Sequence, residues 1–488
     1  MPPTLQSPSL ASILVARFLR TNNYSETLDA FIREAGLPAN AGQVKENDKE
    51  KNWTIESVLE EKKVFDRTLE FERYGEKEEK DVWTVPAPSN PKIVETTTSS
   101  NILACSVDPW TYSNGDPDNK DASSYLIATG ADKQLHLFKT DADHDAITSF
   151  PGLSESPILS YASIRNGKYI CLTNMSGQLL LQRNAQIIDR RKDHTKYTVK
   201  VIAFEDDNSP QKPIWLATAG WDSKIHLYHL HLPAEATEPD SIAIGEPVAS
   251  ITLASNPESI LFIQHPDTKQ LLLLVSRRDS THLYYYQVPR PSSTPPLYEC
   301  SLLGKQNLAP HSNAWVAFSP SCLALNPHDP ELLAVATSTL PHMKVIIVRL
   351  LFPSTECLDV SSSGPIEGSE PVTQATQAFA ALALQNREDA AILVQANTFA
   401  PQTAYSTPQV VWRPDGSGVW VNGDDGGIRG VEMKTGKVVT VLKDGHVAGS
   451  KIRTIWAGWV DVSRDGKITR EEWLVSGGFD KRLIVWKP

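Results

Sequence analysis

The stretches WLATAGWDSKIHLY at residues 215–228 and WLVSGGFDKRLIVW at residues 473–486 repeat one pattern. In each, an apolar strand ends in small residues, an aspartate closes a short turn, and a second strand ends in an aromatic residue. A sharp turn between antiparallel strands needs small residues and a local hydrogen-bond acceptor, which Asp222 and Asp480 supply. Each stretch therefore predicts a tight β-hairpin.

A histidine precedes each hairpin, His194 the first and His446 the second. With these histidines, the two stretches resemble the WD-repeat family, whose repeats fold into β-propeller blades. The resemblance implies that each repeat holds a buried tetrad of hydrogen-bonded side chains, which satisfies polar groups inside a blade. The implied members are His194, Thr218, Asp222 and Tyr228 in the first repeat, and His446, Ser476, Asp480 and Trp486 in the second. We expect this structural role for them, rather than catalysis or metal binding.

The chain after residue 91 is predicted to consist of strands in seven groups. They lie near residues 101–152, 157–194, 198–252, 255–305, 314–395, 405–443 and 447–487. The last group has three strands, whereas residues 92–98 are a lone β-prone segment. Because closing a ring removes exposed sheet edges, we expect residues 92–98 to complete the last blade. The predicted fold is mainly β, a seven-bladed WD-type β-propeller over residues 90–488, with six or eight blades as alternatives.

Residues 7–37 predict two short helices with apolar residues at helical spacing, the second ending at Gly36. This segment resembles the LisH motif, a two-helix dimerisation element, over residues 13–37. The motif implies that residues 1–40 pair two chains into a homodimer, and that the contacts come from Ile13, Leu14, Phe18, Leu19, Tyr24 and Phe31. Asn23 replaces the usual glycine and Leu28 replaces a small residue. The alternative is a helical hairpin packed on the chain's own propeller.

Residues 41–89 contain many charges of both signs and are predicted to be a connector that includes a helix. A coiled coil within residues 50–75 is left open, because the heptad pattern is short and irregular. The chain as a whole has 488 residues, a formal net charge of −11 and five scattered cysteines. This charge disfavours nucleic acid as a partner, and the cysteine spacing disfavours disulfides and zinc sites. With no apolar run long enough to cross a membrane, we expect a cytoplasmic or nuclear protein.

Residues 461–472 match the spacing of an EF-hand calcium loop. The candidate calcium ligands are Asp461, Ser463, Asp465 and Glu472. An EF-hand needs a helix on each side, whereas the flanking residues here are predicted to be strands. The alternative is a long hairpin whose tip is the turn at residues 464–467. Calcium is the one cofactor that the sequence suggests.

The predicted function is that of a non-catalytic scaffold with protein partners, because the resemblance implies recognition and no common catalytic motif occurs. Relatives that combine LisH and WD repeats include subunits of dynein-regulatory, corepressor and ubiquitin-ligase complexes. Two alternatives are a calcium-modulated binding protein and a propeller enzyme whose site lies in the central channel. WD propellers usually bind partners through the loops before each blade and after its second strand. The candidates there are Trp221, Phe479, Lys133, Lys196, Lys224, Lys481 and Asp425.

Overall fold

The computed structural model describes part of the chain in detail. The described residues are 10–43, 54–57, 59, 83, 86–110, 123–141, 144–183, 186–206, 214–230, 232, 242–289, 298–311, 318–354, 374–464 and 467–488. The chain forms two compact units, residues 1–75 and residues 76–488. Among the described residues, no helix is both long enough and apolar enough to cross a membrane.

The first unit contains two helices, α1 (Leu10–Thr21) and α2 (Ser25–Glu34). Asn23 in the turn between them adopts a φ of 62°, a left-handed conformation that asparagine tolerates better than most residues. Helix α2 begins at Ser25, and Tyr24 occupies its N-cap position without a side-chain cap hydrogen bond. Of the predicted connector helix, residues 55–57 and 59 are helical. The region 50–75 otherwise lies outside the described residues, so the coiled coil stays a prediction.

The second unit is a seven-bladed β-propeller built from seven separate sheets, as predicted. Strands are numbered in chain order, and β1 (Asn90–Val94) precedes the first blade. Blade 1 consists of β2 (Ile102–Trp110), β3 (Ser123–Gly130), β4 (Leu135–Lys139) and β5 (Ala146–Phe150). Blade 2 consists of β6 (Ile158–Ile164), β7 (Tyr169–Asn174), β8 (Leu179–Arg183) and β9 (Gln186–Arg191). The four regular strands of blade 3 are β10 (Thr198–Glu205), β11 (Ile214–Gly220), β12 (Lys224–Leu230) and β13 (Ala249–Thr252).

The remaining blades follow the same antiparallel order. Blade 4 consists of β14 (Pro257–Gln264), β15 (Leu271–Arg277), β16 (His282–Gln287) and β18 (Leu302–Asn307), and blade 5 of β19 (Pro320–Leu325), β20 (Leu332–Thr337), β21 (His342–Arg349) and β22 (Ile392–Pro401). Blade 6 consists of β23 (Val410–Trp412), β24 (Gly418–Asn422), β25 (Ile428–Glu432) and β26 (Val438–Leu442). Blade 7 consists of β27 (Ile452–Arg464), β28 (Lys467–Gly478) and β29 (Leu483–Lys487), together with β1.

The ring closes where β1 pairs with β29, the last strand of the chain. The pairing is antiparallel, with Asn90 opposite Lys487 and Val94 opposite Leu483. The closing strand thus begins two residues earlier and ends four residues earlier than the predicted segment, residues 92–98. This pairing satisfies the edge of β29, which would otherwise expose a row of unpaired backbone groups.

Two elements of the propeller have no counterpart in the regular blade. β17 (Tyr298–Glu299) adds a fifth strand to blade 3, in parallel with β13. Helix α3 (Gln374–Ala391) lies between β21 and β22 of blade 5. This helix leads directly into β22, the outer strand of the blade.

Apolar side chains pack between neighbouring blades rather than in one central core. Between blades 7 and 1, for example, Trp473 and Val475 form one buried cluster with Leu126, Ala128 and Phe138. Each buried side chain of this size contributes about 2 kcal/mol relative to exposure. Blade-to-blade packing therefore fixes the loops at the two ends of the ring. We call the end that carries the turns between second and third strands the top, and the opposite end the bottom.

Candidate functional site

The first predicted tetrad lies at the top of blade 3. Nδ1 of His194 is 2.9 Å from Oδ1 of Asp222, and Nε2 is 2.9 Å from the hydroxyl oxygen of Thr218. The backbone N–H of Thr195 donates to the second carboxylate oxygen of Asp222 at 2.9 Å. These bonds tie the connection before blade 3 to the turn after its second strand.

Tyr228, the fourth predicted member, makes a contact that the sequence analysis missed. Its hydroxyl donates to Oδ2 of Asp193 at 2.9 Å, in addition to its hydrogen bond with Thr218. Arg191 binds both oxygens of Asp193 at 2.9 Å. The signal that could have found Asp193 is its place directly before the tetrad histidine.

The second predicted tetrad lies at the top of blade 7. Nδ1 of His446 is 3.0 Å from both carboxylate oxygens of Asp480, and Nε2 is 2.9 Å from the hydroxyl oxygen of Ser476. The indole N–H of Trp486 donates to the same hydroxyl at 2.9 Å. All four predicted members are thus connected.

Burial and hydrogen bonds shift the pKa values of the two turn aspartates, Asp222 and Asp480, in opposite directions. Burial would raise the pKa of the Asp222 carboxyl, but the hydrogen bonds from the Thr195 N–H and His194 hold that pKa below its usual value. At Asp480, the hydrogen bonds from His446 and from the Val447 N–H likewise outweigh burial and lower the pKa. Both aspartates are therefore ionised acceptors at neutral pH, fully used by the turn.

Blades 1 and 6 build the same turn in a different way. In blade 1, Nε2 of His136 is 2.9 Å from Asp132. In blade 6, Arg429 donates two hydrogen bonds to Asp425, at 3.0 and 2.6 Å. In both blades the partner follows the aspartate by four residues, a spacing that the sequence analysis did not use. Asp425, predicted to bind partners, is therefore already paired within its own turn.

Ser149, His136 and Asp132 stand in the hydrogen-bond order of a hydrolase triad. The Ser149 hydroxyl is 2.7 Å from Nδ1 of His136, and the Thr97 hydroxyl is 2.9 Å from Ser149. Thr98 also hydrogen-bonds Asp132. Thr97 and Thr98 belong to the connection before blade 1, as His194 does before blade 3, so these bonds occupy the place of a structural tetrad.

The top loops expose aromatic side chains. Trp221 and Phe479, both predicted as partner-binding residues, are 40% and 43% exposed. Tyr197 is 40% exposed and lies beside Trp221, with 5.5 Å between ring centroids. Tyr405, before blade 6, is 89% exposed. Tyr197 and Tyr405 were not predicted as partner-binding residues, because loops between blades carry no periodic sequence pattern.

Four exposed lysines accompany these aromatic residues, as predicted from the turn positions. They are Lys133, Lys196, Lys224 and Lys481. Lys133 and Lys481 have φ values of 68° and 65°, because each directly follows its turn aspartate in the left-handed region. The top therefore combines aromatic surface with positive charge, although the whole chain is acidic.

The central channel contains a cavity of about 520 Å³ lined by the first strands of all seven blades. Its charged lining residues are Asp108, Lys200, Glu258, Arg278 and Arg453, and no described lining residue is a histidine. The Ser106 hydroxyl lies 2.5 Å from the Tyr161 hydroxyl and also hydrogen-bonds Asp108. Burial raises the pKa of the Cys105 thiol to about 12, so this channel cysteine is protonated and a poor nucleophile.

The described residues of the predicted calcium segment lie in the paired strands β27 and β28. Its strands pair as far as Arg464 opposite Lys467. Glu472 is buried, and Arg413 binds its two oxygens at 2.9 and 2.6 Å. Asp461 is exposed and stands opposite Arg470. The predicted ligands Asp465 and the side chain of Ser463 lie outside the described residues. Among described residues, no group of three or more potential ligands could hold a metal.

The helical unit buries Ala16, Leu28 and Ala41 at its centre. Leu28, noted in the sequence as a departure from the motif, is thus part of the core that joins α1 to α2. All six predicted dimerisation residues keep some exposure: Ile13, Leu14, Phe18, Leu19, Tyr24 and Phe31. Arg20 donates to the carbonyls of Ala39 and Ala41 at 3.0 and 3.2 Å, which ties the segment after α2 to α1.

Two domain models of one family match this chain. The UCP007778 beta-propeller domain matches residues 117–487, and the UCP007778 LisH domain matches residues 11–41. The chain belongs to the UCP007778 family. The UCP007778 LisH domain corresponds to α1, α2 and the segment folded back on them, and its propeller domain begins in blade 1. No curated protein matches the chain. A LisH domain followed by a propeller is an architecture that suits protein-interaction scaffolds.

Proposed function

We propose that this protein is a non-catalytic scaffold that binds partner proteins on the top of the propeller and pairs with a second copy through its LisH domain. The observation that carries the first part is the set of exposed aromatic residues on the top loops. It consists of Tyr197, Trp221, Tyr405 and Phe479. Aromatic residues are enriched at the centres of protein interfaces and include many of the residues that dominate binding energy.

The Trp221–Tyr197 pair is held together through the backbone as well as through the rings. The backbone N–H of Trp221 donates to the carbonyl of Tyr197 at 2.9 Å. Their neighbours Asp222 and Thr195 are joined by the tetrad bonds described above. Binding to a surface that is already fixed costs less conformational entropy than ordering a mobile one. These two rings therefore form a suitable anchor for a partner.

The four exposed lysines give the top a positive rim, so an acidic partner surface would be complementary to it. Charged rims mainly raise association rates and select among partners, whereas buried aromatic anchors set dissociation rates. We therefore propose that the aromatic residues supply affinity and that the lysines supply steering. The LisH pairing would double the number of binding faces and so raise the apparent affinity for a multivalent partner.

The experiment compares two exposed tryptophans at opposite ends of the propeller. Trp221 lies at the top, whereas Trp459 lies on the β27–β28 hairpin at the bottom and is equally exposed, 39% against 40%. Wild type, Trp221→Ala and Trp459→Ala are used as bait, and captured proteins are quantified by mass spectrometry. The captured amount of each partner should be similar for wild type and Trp459→Ala. For Trp221→Ala it should be lower by about tenfold or more. Equal capture by all three baits would contradict the proposed face.

A further inference from the structure

The first strands of the blades share an irregularity where they enter the channel. In six of the seven blades the register shifts by one residue near the start of this strand, which leaves one residue without a cross-strand partner. These residues are Leu103, Leu159, Val199, Glu258, Ser321 and Arg453, and all of them line the cavity. They form a ring near the top mouth of the channel.

Arg453 is the one residue of this ring whose charge is not balanced. Glu258, the ring's acid, receives a hydrogen bond from Arg278 at 2.8 Å. Arg453 has no hydrogen bond and no ion pair with any residue that the structure describes, and burial lowers the pKa of its guanidinium. The Arg453 side chain keeps some exposure to solvent, so a dissolved anion can reach it and supply the missing counter-charge.

A second cation faces the same cavity one position further along the strand. Six blades have small or medium-sized uncharged residues here: Ala104, Ser160, Ser259, Cys322, Val410 and Thr454. Blade 3 has Lys200, which is exposed and, within the described part of the chain, makes no hydrogen bond or ion pair. Burial raises the pKa of the Cys322 thiol, and the charge of Lys200 opposes that rise. The ammonium group of blade 3 therefore acts on blade 5 across the channel.

We propose that the channel mouth binds a small polyvalent oxyanion, carrying phosphate or carboxylate groups, through Arg453 and Lys200. The planar guanidinium of Arg453 suits bidentate binding of either group, and the ammonium of Lys200 adds a point charge. The acids of the lining are already engaged, Asp108 by Ser106 and Glu258 by Arg278. The cavity, about 520 Å³, falls in the range of small-molecule sites. This site requires no partner protein, so it is independent of the proposed scaffold function.

The test is calorimetric titration of the full-length chain at low ionic strength with two probes, sodium pyrophosphate and citrate. At least one probe should bind saturably at one site per chain. Arg453→Gln and Lys200→Gln should each weaken that binding about tenfold or more, and Arg453→Lys should weaken it less than Arg453→Gln. The control is Lys434→Gln, an exposed lysine outside the cavity, which should bind as wild type does.

The choice of probe separates the two ligand chemistries, since preference for pyrophosphate indicates phosphate and preference for citrate indicates carboxylate. A thermal melt of each variant shows that it is folded, and if Arg453→Gln is not, Lys200→Gln carries the test. No binding of either probe would overturn the proposal. Equal binding by all variants would also overturn it, because it would show adventitious surface binding. Binding of a polyglutamate peptide but of neither probe would overturn it too and assign the two cations to a macromolecule.

Discussion

At the scale of single residues, the turn aspartates decide how the top of each blade is held. Asp480 accepts hydrogen bonds from His446 and from the N–H groups of Val447 and Arg482. Asp222 has the equivalent partners in blade 3. These are charge-assisted bonds in a largely buried setting, where the loss of an acceptor leaves several donors unsatisfied.

Asp480→Ala should lower the free energy of unfolding by about 2–4 kcal/mol, because three donors lose their acceptor. Asp461→Ala is the matched control, since Asp461 is an exposed carboxylate at the other end of the same blade. Its substitution should change the free energy of unfolding by less than about 0.5 kcal/mol. Urea unfolding at pH 7 measures both values. Equal effects of the two substitutions would show that the turn does not depend on Asp480.

His226 should make the propeller less stable in mild acid. It is buried beside His194, with 4.7 Å between ring centroids, and burial lowers its pKa from 6.5 to about 4. The unfolded chain therefore takes up a proton first, so the free energy of unfolding falls as pH drops from 6.5 towards 4. The variant His226→Ile has the residue that stands at the equivalent position of blade 7, Ile484. Between pH 7 and pH 5, it should lose about 1–2 kcal/mol less of its free energy of unfolding than the wild type does.

The measurement is the urea midpoint of wild type and His226→Ile at pH 7 and at pH 5. His144 remains in the variant, and burial lowers its pKa to about 4 as well. Burial lowers the pKa of His282 too, so the pH dependence should shrink in the variant rather than vanish. An unchanged dependence would contradict the assignment to His226.

The sequence predicted individual site residues only where a repeat is complete. The tetrads of blades 3 and 7 carry every motif residue, so their members could be named in advance. In blade 1, Thr97 and Thr98 replace the preceding histidine, and the acceptor pairs instead with His136 four residues later. Lys200 and Arg453 gave no signal, because a charge that faces the channel is visible only once the seven first strands are aligned in space.

At the scale of elements, a buried ion pair joins the β27–β28 hairpin to blade 6, beside the apolar packing between blades 6 and 7. Arg413, between β23 and β24, is fully buried and binds Glu472 of β28. The Arg413 guanidinium also lies 4.4 Å from the ring centroid of Trp83. Trp83 in turn packs on Gly430, where a Cβ atom would lie 2.4 Å from the indole ring. This cluster fixes the chain ahead of the closing strand β1.

Glu472→Gln should lower the free energy of unfolding by about 3 kcal/mol, because the buried guanidinium of Arg413 loses its nearest counter-charge and keeps only the longer ion pair with Asp415, at 3.6 Å. The double variant Arg413→Met with Glu472→Leu should lower the free energy of unfolding much less than the single variant does, because it removes both buried charges. Thermal unfolding of wild type, the single and the double variant measures the difference. Calcium and a chelator should leave the wild-type melting temperature unchanged, since Glu472 is committed to Arg413. A calcium-dependent rise in the melting temperature would contradict this account of the hairpin.

The elements themselves were largely predictable from the sequence, because alternation and turn residues are local signals. The seven blades were predicted, and the closing strand required only that the last repeat has three strands. The pairing of β17 with β13 was not predictable, since two residues carry no periodicity and the contact is not local. The calcium site stays a prediction, because its local spacing fits an EF-hand while the described residues on both sides are paired strands rather than helices.

For the whole molecule we propose a dimer, in which two chains pair through their LisH domains. Light scattering of the full-length chain should give about twice its mass of 53.8 kDa, whereas residues 76–488 should give a single-chain mass. Leu14→Asp should also abolish pairing, because a charge on the partly exposed face of α1 opposes burial against a second copy. The control Leu302→Asp, at an exposed apolar position of the propeller, should stay dimeric. A single-chain mass for the wild type would contradict the LisH proposal.

We propose that partners bind the top of the propeller. Hydrogen exchange of the full-length chain, with and without a partner captured by wild type, tests it directly. On binding, amide exchange should become slower in the top segments 195–197, 221–224, 403–407 and 478–482. It should stay unchanged in the bottom hairpin, at residues 457–464 and 467–472. Protection confined to that hairpin, with the top segments unchanged, would contradict it.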